Sequence, residues 1–147
     1  MTVFQFTIDL PLKAQQQTRW TKSGHVYDPS SKDKEKMQWH IRPFAPEKPL
    51  QGAIELQIAF YFAIPKSVNK MLRQQMLNQV VLPCKKPDLD NLAYLVSNAL
   101  KGLVYVDDKQ VCVEKIFKFY GAKEKTVIVV KEILQAQDWG YHSENDL

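Results

Sequence analysis

Cysteine is nearly absent. The chain has two, Cys84 and Cys112, and no CxxC pair. That argues against a disulfide-stapled scaffold and a zinc cluster, and it fits a reducing cytoplasm. Long apolar runs are missing too: none approaches the ~18–20 residues that span a bilayer, so no membrane partner is expected. The opening residues MTVFQFTIDLP carry neither the basic n-region nor the cleavage site of a secretory signal. His25, His40 and His142 share no ligand spacing and no Cys or Ser partner. Neither a nucleophilic triad nor a histidine zinc site is therefore supported. Walker A and GxGxxG patterns are also lacking, so no nucleotide cofactor is expected.

What is present is the composition of one ordinary globular domain. The 147 residues are 45% apolar and 24% charged, enough for a core without staples. The formal charge of +4 understates the basic character. The last thirteen residues, QAQDWGYHSENDL, hold three acids and no Lys or Arg; residues 1–134 hold all 20 bases against 13 acids, a net of +7. The organisation expected is a single domain over 1–134 followed by a loosely held acidic tail over 135–147. A basic body suits a polyanion such as nucleic acid, although a merely soluble surface has the same charge.

Along the chain, Phe4, Phe6, Ile8 and Leu10 alternate on one side of a strand ended by Pro11. Residues 12–30 are polar and aperiodic and read as a long loop, of a length that is often functional. Ser30 or Ser31 is placed to cap a helix through KDKEKMQWHI, with Met37 and Ile41 on its apolar stripe and Pro43 to stop it. Residues 52–63 form the clearest strand: Ile54, Leu56, Ile58, Phe60 and Phe62 face one way, Glu55 and Gln57 the other. Ser67 is placed to cap a second helix through VNKMLRQQMLNQ. A third helix, DLDNLAYLVSNALKG, has Leu89, Leu92, Leu95, Val96, Ala99 and Leu100 at helical spacing and Gly102 at the C′ position. The short run LVYV reads as a strand, and VCVEKIFKFY (111–120) and KTVIVVKEIL (125–134) as two more, joined as a hairpin around Gly121. The fold class is α+β: a mixed, mostly antiparallel sheet of four to five strands with about three helices.

The stretch KKPDLDNLAYLVSNALKGLVYVDDKQV gathers four aspartates within this basic chain. Taken singly each is ordinary. Asp88 reads as an N-cap worth ~1 kcal/mol, Asp90 as a first-turn acid worth a few tenths from the helix dipole, and Asp107 and Asp108 as a turn. Together they are less ordinary. A helix of ~13 residues is ~20 Å long, and LVYV is long enough to return most of that distance and set the pairs side by side. Two carboxylates ~4 Å apart repel by ~4 kcal/mol at an effective dielectric near 20. A cation or shared protons must offset that. Carboxylate-only sites select hard cations, Mg²⁺ or Mn²⁺, which bridge phosphate oxygens and activate water.

The segment PDLDNLAYLVSNALKGLVYVDDKQV resembles the signature of RusA-type Holliday junction resolvases, the crossover junction endodeoxyribonucleases. In both, Asp-Leu-Asp-Asn-Leu opens a helix, and a short link leads to an aromatic residue and an Asp-Asp pair before a strand. The resemblance covers roughly residues 83–133, with a looser fit before them. It implies a RusA-like fold and a Mg²⁺-dependent homodimer that makes paired nicks in four-way DNA junctions during recombination and repair, leaving 5′-phosphate and 3′-hydroxyl ends. By position it implies Asp88, Asp90 and Asp108 as the metal-binding catalytic aspartates, Asp107 as an accompanying acid at the metal, and Asn91 as a support. The family commonly has lysine where this chain has Tyr94. Lys85, Lys86 or Lys109 is then left to supply that charge.

Lys66, Lys70 and Arg73 precede the motif and suit either a solvated helix face or a DNA-backbone contact. Lys13, Arg19, Trp20, Lys22 and Tyr27 mix bases with aromatics in the long loop. That mixture suits phosphates and exposed bases near a branch point, and Trp20 and Tyr27 equally suit a core. Two other functions remain open: a junction-binding protein without efficient cleavage, for which Tyr94 is the warning, and a metal-dependent phosphatase or nuclease acting on small substrates.

Overall fold

A computed structural model describes residues 2–135. The chain order is β1 (Val3–Ile8), β2 (Arg19–Trp20), β3 (Val26–Tyr27), α1 (Ser31–Ile41), β4 (Ile54–Ala63), α2 (Lys70–Leu77), α3 (Leu89–Leu100), β5 (Val111–Gly121) and β6 (Lys125–Glu132). Short 3-10 turns follow α1 (Arg42–Phe44) and precede β5 (Asp108–Gln110). The α+β class is as expected: a mixed four-stranded sheet, a small two-stranded ribbon, and three α-helices among the described residues. No helix among them is long and apolar enough to cross a membrane.

The sheet order is β1-β6-β4-β5. β4 pairs antiparallel with β6 and parallel with β5, while β1 closes the other edge against β6. The hairpin expected of β5 and β6 does not form, because β4 lies between them. β4 has reason to be central: Ile54, Leu56, Ile58, Phe60 and Phe62 are all buried, and so is Glu55 on its other face. A strand with one face buried along its whole length has its backbone groups satisfied by a ladder on each side. Glu55 tolerates that position because Lys115 on β5 and Lys131 on β6 approach it, at 2.9 and 3.6 Å.

The helices pack on the Ile54–Phe62 face. Met37 and Ile41 of α1, Met76 of α2, and Leu92, Leu95, Val96, Ala99 and Leu100 of α3 form one core there with Phe6, Ile8, Ile128 and Val130. On the opposite face Tyr61, Phe117 and Phe119 form an aromatic strip, with ring centroids 5.6 and 5.5 Å apart.

Four local expectations are corrected. Ser30 sits at the N-cap of α1 without capping it by side chain; it is buried, and its Oγ accepts the amide of Gln16 at 2.8 Å. α2 starts at Lys70 rather than after Ser67, because Asn69 Oδ1 takes the amide of Leu72 at 2.8 Å. The LVYV run is no strand: it makes only single bridges from Tyr105 to Leu50 and Lys101, within a turn shaped by Gly102 at φ +83°. The long loop contains the β2–β3 ribbon, whose Trp20 and Tyr27 are exposed, so neither belongs to the core. From residue 136 onward the acidic tail lies outside the described residues.

Candidate active site

The helix start behaves differently from a plain cap. Asp88 occupies the N-cap position of α3 with extended backbone, yet its carboxylate accepts no helix amide. Asp90 follows in the first turn. Burial of Leu92, Leu95, Val96 and Ala99 turns the opposite side of α3 outward. On that side Asp90, Tyr94 and Ser97, at i, i+4 and i+7, share one face. Asn91 and Asn98 lie on the neighbouring face, with Tyr94 on the ridge between.

After α3 the chain turns at Gly102, where positive φ suits glycine. Tyr105 then plugs fully into the core, and its hydroxyl donates to the Ser97 carbonyl at 3.3 Å. Burial first, and then the negative charge of Asp108, push the pKa of that hydroxyl well above the ordinary tyrosine value. Gln110 is also buried; its Nε2 donates to the carbonyls of Leu50 (2.7 Å) and Gly52 (2.9 Å), pinning the following turn to the segment before β4. Asp107 caps that turn by accepting the amide of Lys109 at 3.1 Å, and Lys101 stands 4.0 Å away. The Lys109 and Asp108 amides and the two lysines hold its pKa below the usual carboxylate value. Asp108, the next residue, is exposed, and its carboxylate faces the Tyr105 hydroxyl rather than capping the turn.

A register shift in the β4–β5 pairing supplies a third acid. Ile54 pairs with Val111, but Glu55 pairs with Val113, so Cys112 is the extra residue of a bulge. From there Glu114, Ile116 and Lys118 pair with Leu56, Ile58 and Phe60 and face the helices. Asp90, Tyr94, Ser97, Asp108, Glu114 and Ile116 line a single open cleft of about 300 Å³.

The expected site residues are thus only partly gathered. Asp90, Asp108 and Tyr94 meet in the cleft, whereas Asp88 stands at the head of α3 and Asp107 is occupied by its turn. None of the expected basic residues lines the cleft. Lys109 adjoins Asp108, and Lys86 is exposed ahead of α3. Lys85 reaches over the rings of Phe62 and Tyr120, and its carbonyl accepts Lys118 Nζ at 2.6 Å. Lys66, Lys70 and Arg73 cluster about α2, where Arg73 donates to the Pro65 carbonyl at 3.5 Å. Lys13 lines a separate groove over α1, and Arg19 donates to Gln16 Oε1 at 3.4 Å. Glu114 and Lys118 were not singled out from the sequence. Only the bulge, which depends on pairing with β4, turns them to this side.

Among the described residues no three His, Cys, Asp or Glu side chains are grouped closely enough to hold a metal ion. The donors in the cleft still suit a hard divalent cation. They are all oxygens, three carboxylates with the Ser97 and Tyr94 hydroxyls, and no ion pair among the described residues engages Asp88, Asp90, Asp108 or Glu114. Mg²⁺ keeps several waters and binds through one or two carboxylates plus substrate phosphates, so a full protein cage is not required.

The family model described as Endodeoxyribonuclease RusA matches residues 9–131, most of the chain. The chain belongs to the RusA endodeoxyribonuclease family. A relative named "Uncharacterized protein YqaN", from Bacillus subtilis (strain 168), is 32% identical over 90 residues, 60% of this chain. The match spans 63% of that protein's length, and its name assigns it no activity. Within the RusA family match fall the DLDN helix start, the aspartate pair and the bulged strand.

Proposed function

We propose that the protein is a metal-dependent endodeoxyribonuclease that makes paired nicks in four-way DNA junctions, acting in the cytoplasm in recombination and repair. The observation that carries this reading is the cleft itself: Asp90 and Asp108 share it with Glu114 and no ion pair among the described residues neutralises them, in a chain whose body is otherwise basic. Asp90 and Asp108 would hold Mg²⁺ (Mn²⁺ is the alternative), with Asp88 reaching in from the helix start. The bound ion supplies Lewis-acid stabilisation of the phosphate and a more acidic water. The chain's own contribution is rigidity and placement. The α3 start and the pinned Asp107–Gln110 turn hold the carboxylates, while Lys86, Lys109, Lys85 and Lys118 would bind the flanking phosphates. Lys66, Lys70, Arg73, Lys13 and Arg19 extend that backbone contact.

A four-way junction is roughly two-fold symmetric, so paired nicking calls for two copies of the site. The second copy is assigned to the sheet face opposite the helices. There the Tyr61–Phe117–Phe119 strip is apolar and Phe117 is 41% exposed, with no described helix over it.

The test is incubation with labelled four-way junction, duplex and single strand, each with Mg²⁺, with Mn²⁺ and with chelator. Metal-dependent paired nicks in the junction are expected. Tight junction binding without cutting in either metal supports a second reading, a non-cleaving junction binder. That reading is favoured by Tyr94, which stands in the cleft wall where the family resemblance expects a fixed positive charge. Indifference to all three DNAs rejects both readings.

A further inference from the structure

Tyr94 is a wall of two clefts. On the side away from Asp108 and Glu114, the long loop after β1 lies across α3 and encloses about 420 Å³ lined by Gln15, Gln17, Asp28, Asn91, Asn98 and Tyr94 itself. The loop is fastened there. The Gln15 amide donates to the Asn91 carbonyl at 2.9 Å. Asn98 Nδ2 donates to Gln15 Oε1, and Gln15 Nε2 to Asp28 Oδ1, both at 3.3 Å. The Gln16 amide donates to the buried Ser30 hydroxyl at 2.8 Å, and the Ser30 amide to Asp28 Oδ1 at the same distance. A polar loop of this length is therefore held against the helix by side chains from both of its ends.

The chemistry of this cleft differs from that of its neighbour. No lysine or arginine lines it, so it is not built for phosphate. Gln15 and the Asn98 amide nitrogen are spent on fastening the loop, but Gln17, Asn91 and Asn98 Oδ1 still offer donors and acceptors, the arrangement that reads the edge of a heterocyclic base. Tyr94 is 56% exposed and offers a ring face. A ring face is useful only to a base whose own face is free, meaning one that is unpaired or flipped from its stack. Because Tyr94 belongs to both clefts, a base held here lies next to whatever phosphodiester occupies the acidic side.

We infer that the amide-lined cleft is a subsite for one unpaired nucleobase, stacked on Tyr94, of the strand whose backbone crosses Asp90 and Asp108. The inference rests on the nuclease reading for its partner strand, but its test does not require cleavage. Binding is measured by fluorescence anisotropy in chelator, using short oligo-dA, oligo-dC, oligo-dG and oligo-dT and an abasic strand of equal length and charge. Natural strands should bind more tightly than the abasic strand. Tyr94→Ala should remove a 5- to 150-fold share of that advantage, the range expected for one base on one aromatic ring. Tyr94→Phe should keep it. Gln17→Ala and Asn98→Ala should level the differences among the four bases, with abasic binding unchanged throughout. Tyr94 and Gln17 are exposed, so both Tyr94 variants and Gln17→Ala leave the fold intact, which a thermal melt verifies. Equal affinity for natural and abasic strands overturns the inference, as does a Tyr94→Ala loss that is equal on both. Junction nicking without any base dependence rejects the subsite and leaves the nuclease reading standing. Base-dependent binding without nicking does the reverse.

Discussion

Asp107 and Gln110 cap each other: the Asp107 amide donates to Gln110 Oε1 at 2.8 Å, while Asp107 Oδ1 holds the next turn through Lys109. This clasp separates the roles of two adjacent aspartates. Asp107 is used to shape the turn, and Asp108 is left exposed on a rigid mount at the cleft. Gln110→Ala removes the clasp and strands the Gly52 carbonyl, while the Leu50 carbonyl keeps the Val106 amide at 3.2 Å, at a cost of about 1–3 kcal/mol. A lowered melting temperature together with a lower nicking rate is the expected outcome. Asp107→Asn preserves the cap, since Asn serves as well, and should keep nicking within about threefold of wild type. A collapse of activity in Asp107→Asn with an unchanged melt would place Asp107 at the metal after all.

Asp90→Asn and Asp108→Asn each remove one carboxylate charge from the cleft, and an Asn at 108 keeps an amide oxygen to face the Tyr105 hydroxyl. Nicking of the four-way junction should fall by on the order of 100-fold or more. Junction affinity in chelator should stay level or rise, because a negative charge near the phosphate has gone. Gel-shift and nicking assays on the same preparations separate the two effects.

Acid should weaken the protein through Glu55. Burial raises its pKa, but Lys115, Gln57 and Lys131 outweigh that and leave it below the usual 4.5. A lowered folded-state pKa means stability that is complete above 4.5 and lost as pH falls through the folded value. Melting temperature should therefore drop below about pH 4.5 in the native protein. In Glu55→Gln it should already be lower at pH 7, and the part of the acid dependence due to this group should vanish. A melt series from pH 3 to 7 on both proteins decides it.

Phe117→Asp introduces a charge into the exposed aromatic strip of the sheet. If that strip joins two copies, sedimentation should show a monomer, and paired nicks should give way to single ones at unchanged metal dependence. An unaltered sedimentation coefficient would move the interface elsewhere.

Much of this was legible in the sequence, because some signals are local. Period-two alternation in VFQFTI and IELQIAFYF, and the 3.6-residue stripe from Leu89 to Leu100, depend only on neighbours along the chain. They marked β1, β4 and α3 correctly. The same holds for the aspartate spacing and Gly102. Cap choice was less secure: Asn69 displaced Ser67, and Ser30 was claimed by the passing loop, because a short polar side chain serves whichever amide tertiary structure brings to it.

The sequence by itself determined the fold class, the basic body, and an acidic segment that opens a helix and returns before a strand. Only the tertiary structure decided that β4 separates β5 from β6, since strand partners are chosen by burial across the whole sheet. It also decided that a bulge at Cys112 turns Glu114 toward Asp90 and Asp108, and that Asp107 is spent on its turn while Asp88 leaves its cap unmade. The physical reason is common to all three. Each concerns which group a side chain meets across space, and spacing along the chain limits that choice without making it.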